Sequence, residues 1–160
     1  MTYRVLTVCT GNICRSPSAE AILRDHLAAA GLGEAVEVDS AGTFDYHVGK
    51  PPSEPAVRLA AKRGYDLSPL RARLVAPADF TDFDLILAMD RGHLRELTAL
   101  QPPGSPSRIS LFLEVLPDAG IEVADPYYGD DRDYQAMLDV IEAAVPAWVA
   151  RLREDLPAGA

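Results

Sequence analysis

A cysteine followed six residues later by an arginine, Cys9 and Arg15, is the pair in this chain best suited to chemistry on an anion. A thiolate is a strong nucleophile, and a guanidinium is a permanently charged planar fork that matches two oxygens of a phosphate. Between them run Thr10, Gly11, Asn12, Ile13 and Cys14, and Ser16 follows. A short loop of this kind that enters a helix turns its backbone N–H groups inward and leaves them without helical partners, which makes a nest for an anion. A thiol set below such donors, at a helix N-terminus and beside a cation, ionises readily. The loop that binds a phosphate would therefore also prepare the nucleophile, with Arg15 on its rim.

The flanking residues place the pair. Residues 4–8 read as a buried strand that delivers Cys9 to its carboxyl end. Gly11 and Asn12 are the types that most readily accept positive φ. Ser16 suits a helix N-cap and Pro17 the first helical position, and Ala19, Ile22, Leu23, His26, Leu27 and Ala30 follow at helical spacing as far as Gly31.

Further along, residues 35–39 alternate as a short strand, and a loop from Ser40 to Ser53 carries Tyr46, His47 and Gly49. A helix with Ala56, Leu59 and Ala60 inward is expected from about Pro55 to Gly64. Residues 84–88 read as the next buried strand, Asp90 as the N-cap of a helix through Leu100, and residues 109–112 as a last strand after a proline-rich loop. A turn at 125–129 leads into a long amphipathic helix traced by Tyr134, Met137, Leu138, Ile141, Val145, Trp148, Val149 and Leu152, which Pro146 should kink or interrupt. Strands alternating with helices imply an α/β fold, with a mostly parallel sheet and helices on both faces. In such sheets ligands sit at the carboxyl ends of the strands, where Cys9 falls.

At 160 residues the chain is expected to be a single domain over 1–160. A net charge of −9 argues against nucleic acid or an anionic membrane as partner, and it requires any positive site to be local. Two cysteines, both in one loop, suit a reducing compartment, and no leader or membrane-length apolar run is read, so the expected location is cytoplasmic.

Displacement at phosphorus by a thiolate needs a proton for the leaving oxygen, and a carboxylic acid on a nearby loop would supply it. Asp125, before Pro126 and a tyrosine pair, is the candidate, although from the residues alone an Asp-Pro turn opener is an equal reading.

The run CTGNICRSP at 9–17 resembles the phosphate-binding loop of the low-molecular-weight protein tyrosine phosphatases. The resemblance extends through DSAGT at 39–43, LILAMD at 85–90 and DPYYG at 125–129. It implies a three-layer fold on a four-stranded parallel sheet, and a phosphotyrosine hydrolase working through a cysteinyl-phosphate without metal or other cofactor. Cys9 would be the nucleophile, Arg15 and the amides of residues 10–14 the phosphate binders, and Asp125 the general acid and then the base. Ser16 would donate to the Cys9 sulfur, and Asn12 would take a left-handed backbone and bond to Ser40. Tyr46 and Tyr127 would wall the cleft, and Tyr128 would be the second of a tyrosine pair that kinases modify. Cys14 would protect Cys9 through a reversible disulfide. The implied partners are phosphotyrosine proteins and a tyrosine kinase, with the chain a monomer capable of weak self-association.

His26, His47 and His93 are given no catalytic role and are expected at the surface or the cleft rim. Relatives often brace the loop with a histidine in the stretch that here reads Leu70-Arg71-Ala72-Arg73, so that bracing is in question. Two rival readings are an arsenate reductase of the same fold, which would need cysteines outside the loop, and an anion-binding module without turnover.

Overall fold

Four strands, β1 (Tyr3–Cys9), β2 (Val36–Gly42), β3 (Leu85–Ala88) and β4 (Arg108–Leu111), form one sheet in the order β2-β1-β3-β4. Every pairing is parallel, with Val5 opposite both Val38 and Leu85, as the sequence pattern and the resemblance imply. The computed structural model describes residues 2–156 except 117, 119 and 121. Parallel strands need crossover connections, and these are α1 (Arg15–Ala29), α2 (Glu54–Lys62) with α3 (Asp79–Asp82), and α4 (Arg91–Leu100). A 3₁₀ turn at Phe112–Val115 and the closing helix α5 (Asp131–Asp155) complete the described chain.

Side chains alternate across the sheet, so each strand supplies two cores. Val5, Leu85 and Leu87 face α1 and α5, where Ile22, Leu23, Leu138, Ile141 and Trp148 are fully buried. Leu6, Val8, Ile86 and Ala88 face the opposite way, onto Phe80, Phe83 and Leu97. Truncating any one of the large residues to alanine would cost about 2–5 kcal/mol. With both faces covered, the carboxyl edge of the sheet is where β1 hands the chain to the loop after Cys9.

Three local expectations are corrected, and two short elements were not expected. Helix α1 starts at Arg15 with Cys14 as its N-cap residue, so Ser16 and Pro17 lie in the first turn and Ser16 is not the cap. Its hydroxyl is engaged elsewhere, as described below. Strand β2 runs on to Gly42 because β1 continues to Cys9 and pairs with it throughout. Helix α5 passes through Pro146 without a break. Proline removes one backbone bond at a cost of about 3 kcal/mol, and the buried row on either side of it, Leu138, Ile141, Val145, Trp148 and Leu152, outweighs that. The short α3 and the 3₁₀ turn, each four residues long, have too little periodicity to read from sequence.

Candidate active site

The loop from Cys9 to Arg15 is shaped from outside. The carbonyls of Cys9 and Thr10 accept from the amides of Thr43 and Phe44, both at 3.0 Å, and that of Ile13 accepts from Ser53 at 2.9 Å. With its carbonyls turned outward, the loop presents its amides to the interior. Among the described residues, none of the amides of residues 10 to 14 donates a hydrogen bond. A left-handed residue makes this curvature possible, and it is Asn12, at φ 57°. Close approach of β2 demands a glycine at 42, since a Cβ there would lie 2.5 Å from the Thr10 carbonyl oxygen.

Asn12 also sets the direction of a buried hydrogen-bond chain. Its Oδ1 accepts from the Arg73 backbone amide at 3.0 Å, so its Nδ2 hydrogens point away from Arg73 and donate to Ser16 Oγ at 2.8 Å and Ser40 Oγ at 2.9 Å. Each serine, having accepted, has its own hydrogen left to give. Ser40 gives it to Glu20 Oε1 at 2.6 Å, and Ser16 lies 3.0 Å from Cys9 Sγ. The Asn12–Ser40 bond and the Ser16–Cys9 contact match the arrangement expected from the resemblance. Burial pushes the Glu20 carboxyl above its ordinary pKa, with Ser40 and Arg24 pulling the other way.

Arg15 is not on the rim but in the floor, 4% exposed. Its NH1 donates to Asp90 Oδ2 at 2.9 Å and to the Val123 carbonyl at 3.0 Å, and its NH2 lies 3.6 Å from Asp125 Oδ2. Burial pushes the Asp90 carboxyl up, but the amide of His93, the His93 ring and Arg15 together hold it below the usual range. Asp125 is half exposed and its Oδ1 accepts from the Tyr127 amide at 3.1 Å, an arrangement that Pro126 stiffens.

These residues share one cleft of about 450 Å³, lined by Cys9, Thr10, Gly11, Ile13, Cys14, Arg15 and Asp125, and walled by aromatic side chains. Tyr46 and Tyr127 both line it, as does Tyr128, whose ring is 95% exposed. Sequence reading missed Phe44, which stacks on Tyr46 at 6.4 Å. His47 is a lining residue too, its ring lying between Tyr46 and Tyr127 and over Gly11, where a Cβ would come within 2.8 Å of it. Cys14 faces the cleft with its sulfur 3.4 Å from Ser53 Oγ and 3.5 Å from the Tyr134 hydroxyl, and burial pushes its pKa up.

The expected surface position of the histidines is wrong for His93, which is buried against Thr10 and Asp90. Its signal in the sequence is slight: three residues after an N-cap, it sits where a helix turn folds back on the cap. The brace that a histidine at 70–73 would give is supplied instead by the backbone of Arg73, whose guanidinium is clamped between Asp39 and Asp79.

A family model described as low molecular weight phosphotyrosine protein phosphatase matches residues 4–158. A low molecular weight protein-tyrosine-phosphatase of Streptomyces coelicolor is 41% identical over 160 residues, covering 98% of this chain and 97% of its own. Low molecular weight protein-tyrosine phosphatase A of Mycobacterium tuberculosis is 39% identical over 151 residues, covering 91% of this chain and 90% of its own. Among solved structures, YfkJ of Bacillus subtilis superposes with a TM-score of 0.91 at 34% identity, covering 98% of each chain.

Proposed function

Because the chain belongs to the low molecular weight phosphotyrosine protein phosphatase family, we propose that it hydrolyses phosphotyrosine in protein substrates through a cysteinyl-phosphate. The observation that carries this reading is the convergence of Cys9, Arg15 and Asp125 on one cleft whose loop amides have no partner of their own.

The phosphoryl group sits in the loop, its oxygens on the amides of residues 10–14 and on Arg15. Cys9 attacks as the thiolate. The sulfur–phosphorus bond forms as the bond from phosphorus to the phenolic oxygen breaks, and Asp125 gives that oxygen its proton. Free tyrosine leaves, and Asp125 remains as a carboxylate. Water then attacks phosphorus and passes a proton to Asp125 while the sulfur–phosphorus bond breaks. Inorganic phosphate leaves and the thiolate returns. Ser16, whose oxygen is already occupied by Asn12, donates to the departing sulfur. Charge on the transferring group is met by donors fixed before it arrives, which is where most of the rate enhancement of such sites originates.

The aromatic walls give a phosphotyrosine ring flat surface on its way to the floor, and a phosphoserine has no ring to use them. Tyr128 is exposed enough for a tyrosine kinase to modify, and Cys14 faces the cleft where a bridge to Cys9 would shield the nucleophile. The test is turnover of para-nitrophenyl phosphate and of matched phosphotyrosine and phosphoserine peptides, with a mass shift of one phosphoryl group on Asp125→Ala quenched during turnover. An inert parent protein, or no Cys9-dependent adduct, would refute it.

A further inference from the structure

No step above uses His93, yet it is 2% exposed, touches the start of the anion loop and stands beside the carboxylate that holds its end. Its Nε2 lies 2.8 Å from Oγ1 of Thr10, the residue after the nucleophile. Its Nδ1 lies 3.1 Å from Asp90 Oδ1, which also accepts from the His93 amide at 2.9 Å. The other oxygen of Asp90 holds Arg15. One buried ring on α4 thus connects the first residue after the nucleophile to the guanidinium that closes the loop.

We propose that His93 is a positioning residue: its imidazole, wedged between Thr10 and Asp90, keeps the start of the anion loop and the Arg15 fork in the mutual geometry that phosphate binding requires. The proposal rests on the reading of residues 9–15 as a phosphate site.

The proton positions follow from the neighbours. Nδ1 lies 3.1 Å from the Asp90 carboxylate but outside hydrogen-bond alignment, and it carries the hydrogen, since two facing lone pairs would repel. Nε2 then has a lone pair, and the Thr10 hydroxyl donates to it. The ring stays uncharged near neutrality because burial pushes its pKa down to about 4, helped by Arg15 and opposed by Asp90, Asp125 and Glu122. A histidine that merely filled space would need neither partner. Here Nε2 takes the Thr10 hydroxyl while Nδ1 faces the Asp90 carboxylate without completing a hydrogen bond, and Thr10, exposed on its other side, has its hydroxyl fixed by the ring.

The test compares the parent with His93→Ala, His93→Gln, Thr10→Val and His93→Ala with Thr10→Val, reading the affinity for inorganic phosphate by calorimetry and kcat and KM on para-nitrophenyl phosphate. Small misplacements of catalytic donors cost about 100-fold, so His93→Ala is expected to lose roughly 10- to 100-fold in phosphate affinity and in kcat/KM. Thr10→Val reproduces part of this loss, and adding it to His93→Ala costs nothing more. His93→Gln, whose carboxamide oxygen can accept the Thr10 hydroxyl, recovers the Thr10 share, which a role in stability alone would not produce. Phosphate affinity within twofold of the parent in His93→Ala, or losses that multiply in the double variant, overturns the proposal. Should His93→Ala fail to fold, Thr10→Val decides, because the proposal requires the ring to hold the start of the loop through the Thr10 hydroxyl, and parent-like phosphate affinity there overturns it. Binding is read without turnover, so a parent that binds phosphate but hydrolyses nothing refutes the phosphatase reading and leaves this one decided by the binding series.

Discussion

Lowering the pH should destabilise this protein through His93 before most of its carboxylates are protonated. An exposed imidazole in the unfolded chain takes a proton near 6.5, and the buried ring takes one only near 4, because burial outweighs the pull of Asp90. The unfolded state therefore binds the proton first, and stability is full above pH 6.5 and falls as the pH drops toward 4. At about 1.4 kcal/mol per pH unit of pKa difference, the loss is roughly 2 kcal/mol at pH 5 and about 3 kcal/mol by pH 4. That is a large share of the roughly 5–15 kcal/mol of a typical domain. Urea unfolding at pH 7 and pH 5, on the parent and on His93→Gln, isolates the effect, since Asp90, Asp131 and the other carboxylates are common to both proteins. Asp90 and Asp131, both held below the ordinary range, lose their contribution at lower pH still. The parent should lose about 2 kcal/mol more than the variant over that interval with unchanged m-values. Equal losses would show that the ring titrates normally and that its burial between Thr10 and Asp90 is wrong.

Asp125→Asn should slow hydrolysis of phenyl phosphate by about 10²- to 10⁴-fold and of para-nitrophenyl phosphate far less, because nitrophenolate leaves without a proton; equal slowing of both would remove Asp125 as the acid. Arg15→Lys keeps the charge but has one ammonium where a fork now reaches Asp90 and the Val123 carbonyl, so kcat should fall about 10²-fold or more in steady-state assays on para-nitrophenyl phosphate. Ser16→Ala removes the donor to Cys9 Sγ and leaves an Asn12 N–H buried without a partner. The expected result is about 1–3 kcal/mol of lost stability by urea titration, together with a larger nitrophenolate burst from para-nitrophenyl phosphate relative to the steady state as breakdown of the intermediate becomes limiting. Gly42→Ala would press a methyl to 2.5 Å from the Thr10 carbonyl oxygen; overpacking of this kind costs about 1–3 kcal/mol, and phosphate affinity measured by calorimetry should drop with it.

The elements that carry the chemistry were legible because each is set by its own neighbours in the chain. The apolar run before Cys9, the asparagine that accepts φ 57° and the helical spacing from Ala19 onward are local facts. Asp90 was readable as an N-cap for the same reason, since its partner is the amide of His93, three residues on. What it does with its other oxygen was not, because Arg15 lies 75 positions away. The burial of His93 depends on Thr10, 83 positions away, as well as on the cap Asp90 three residues before it. Ser16 shows the opposite error: its local propensity as a cap was real, but Asn12 and Cys9 compete for the hydroxyl, and the helix begins two residues earlier, with Cys14 as its cap residue. The missing histidine at 70–73 gave a false warning for a related reason. The bond to Asn12 Oδ1 comes from a backbone amide, which any residue provides once Arg73 is anchored by Asp39 and Asp79.

Two carboxylates reach the same guanidinium, and their surroundings differ. Asp90 is bonded on both oxygens, one by Arg15 and one by the His93 amide, with the His93 ring 3.1 Å away, and these surroundings hold its pKa below the usual range. A charged, fully engaged carboxylate can orient the fork but has no proton to give. Asp125 touches Arg15 at the longer distance of 3.6 Å, takes a single amide bond from Tyr127, and keeps half its surface open to the cleft. It is the one free to turn toward a leaving oxygen. Because the chain as a whole is strongly anionic, an arriving phosphate would be opposed by both carboxylates together. In the proposed mechanism Asp125 enters carrying the proton for the leaving oxygen, and that same proton would remove one of the two opposing charges.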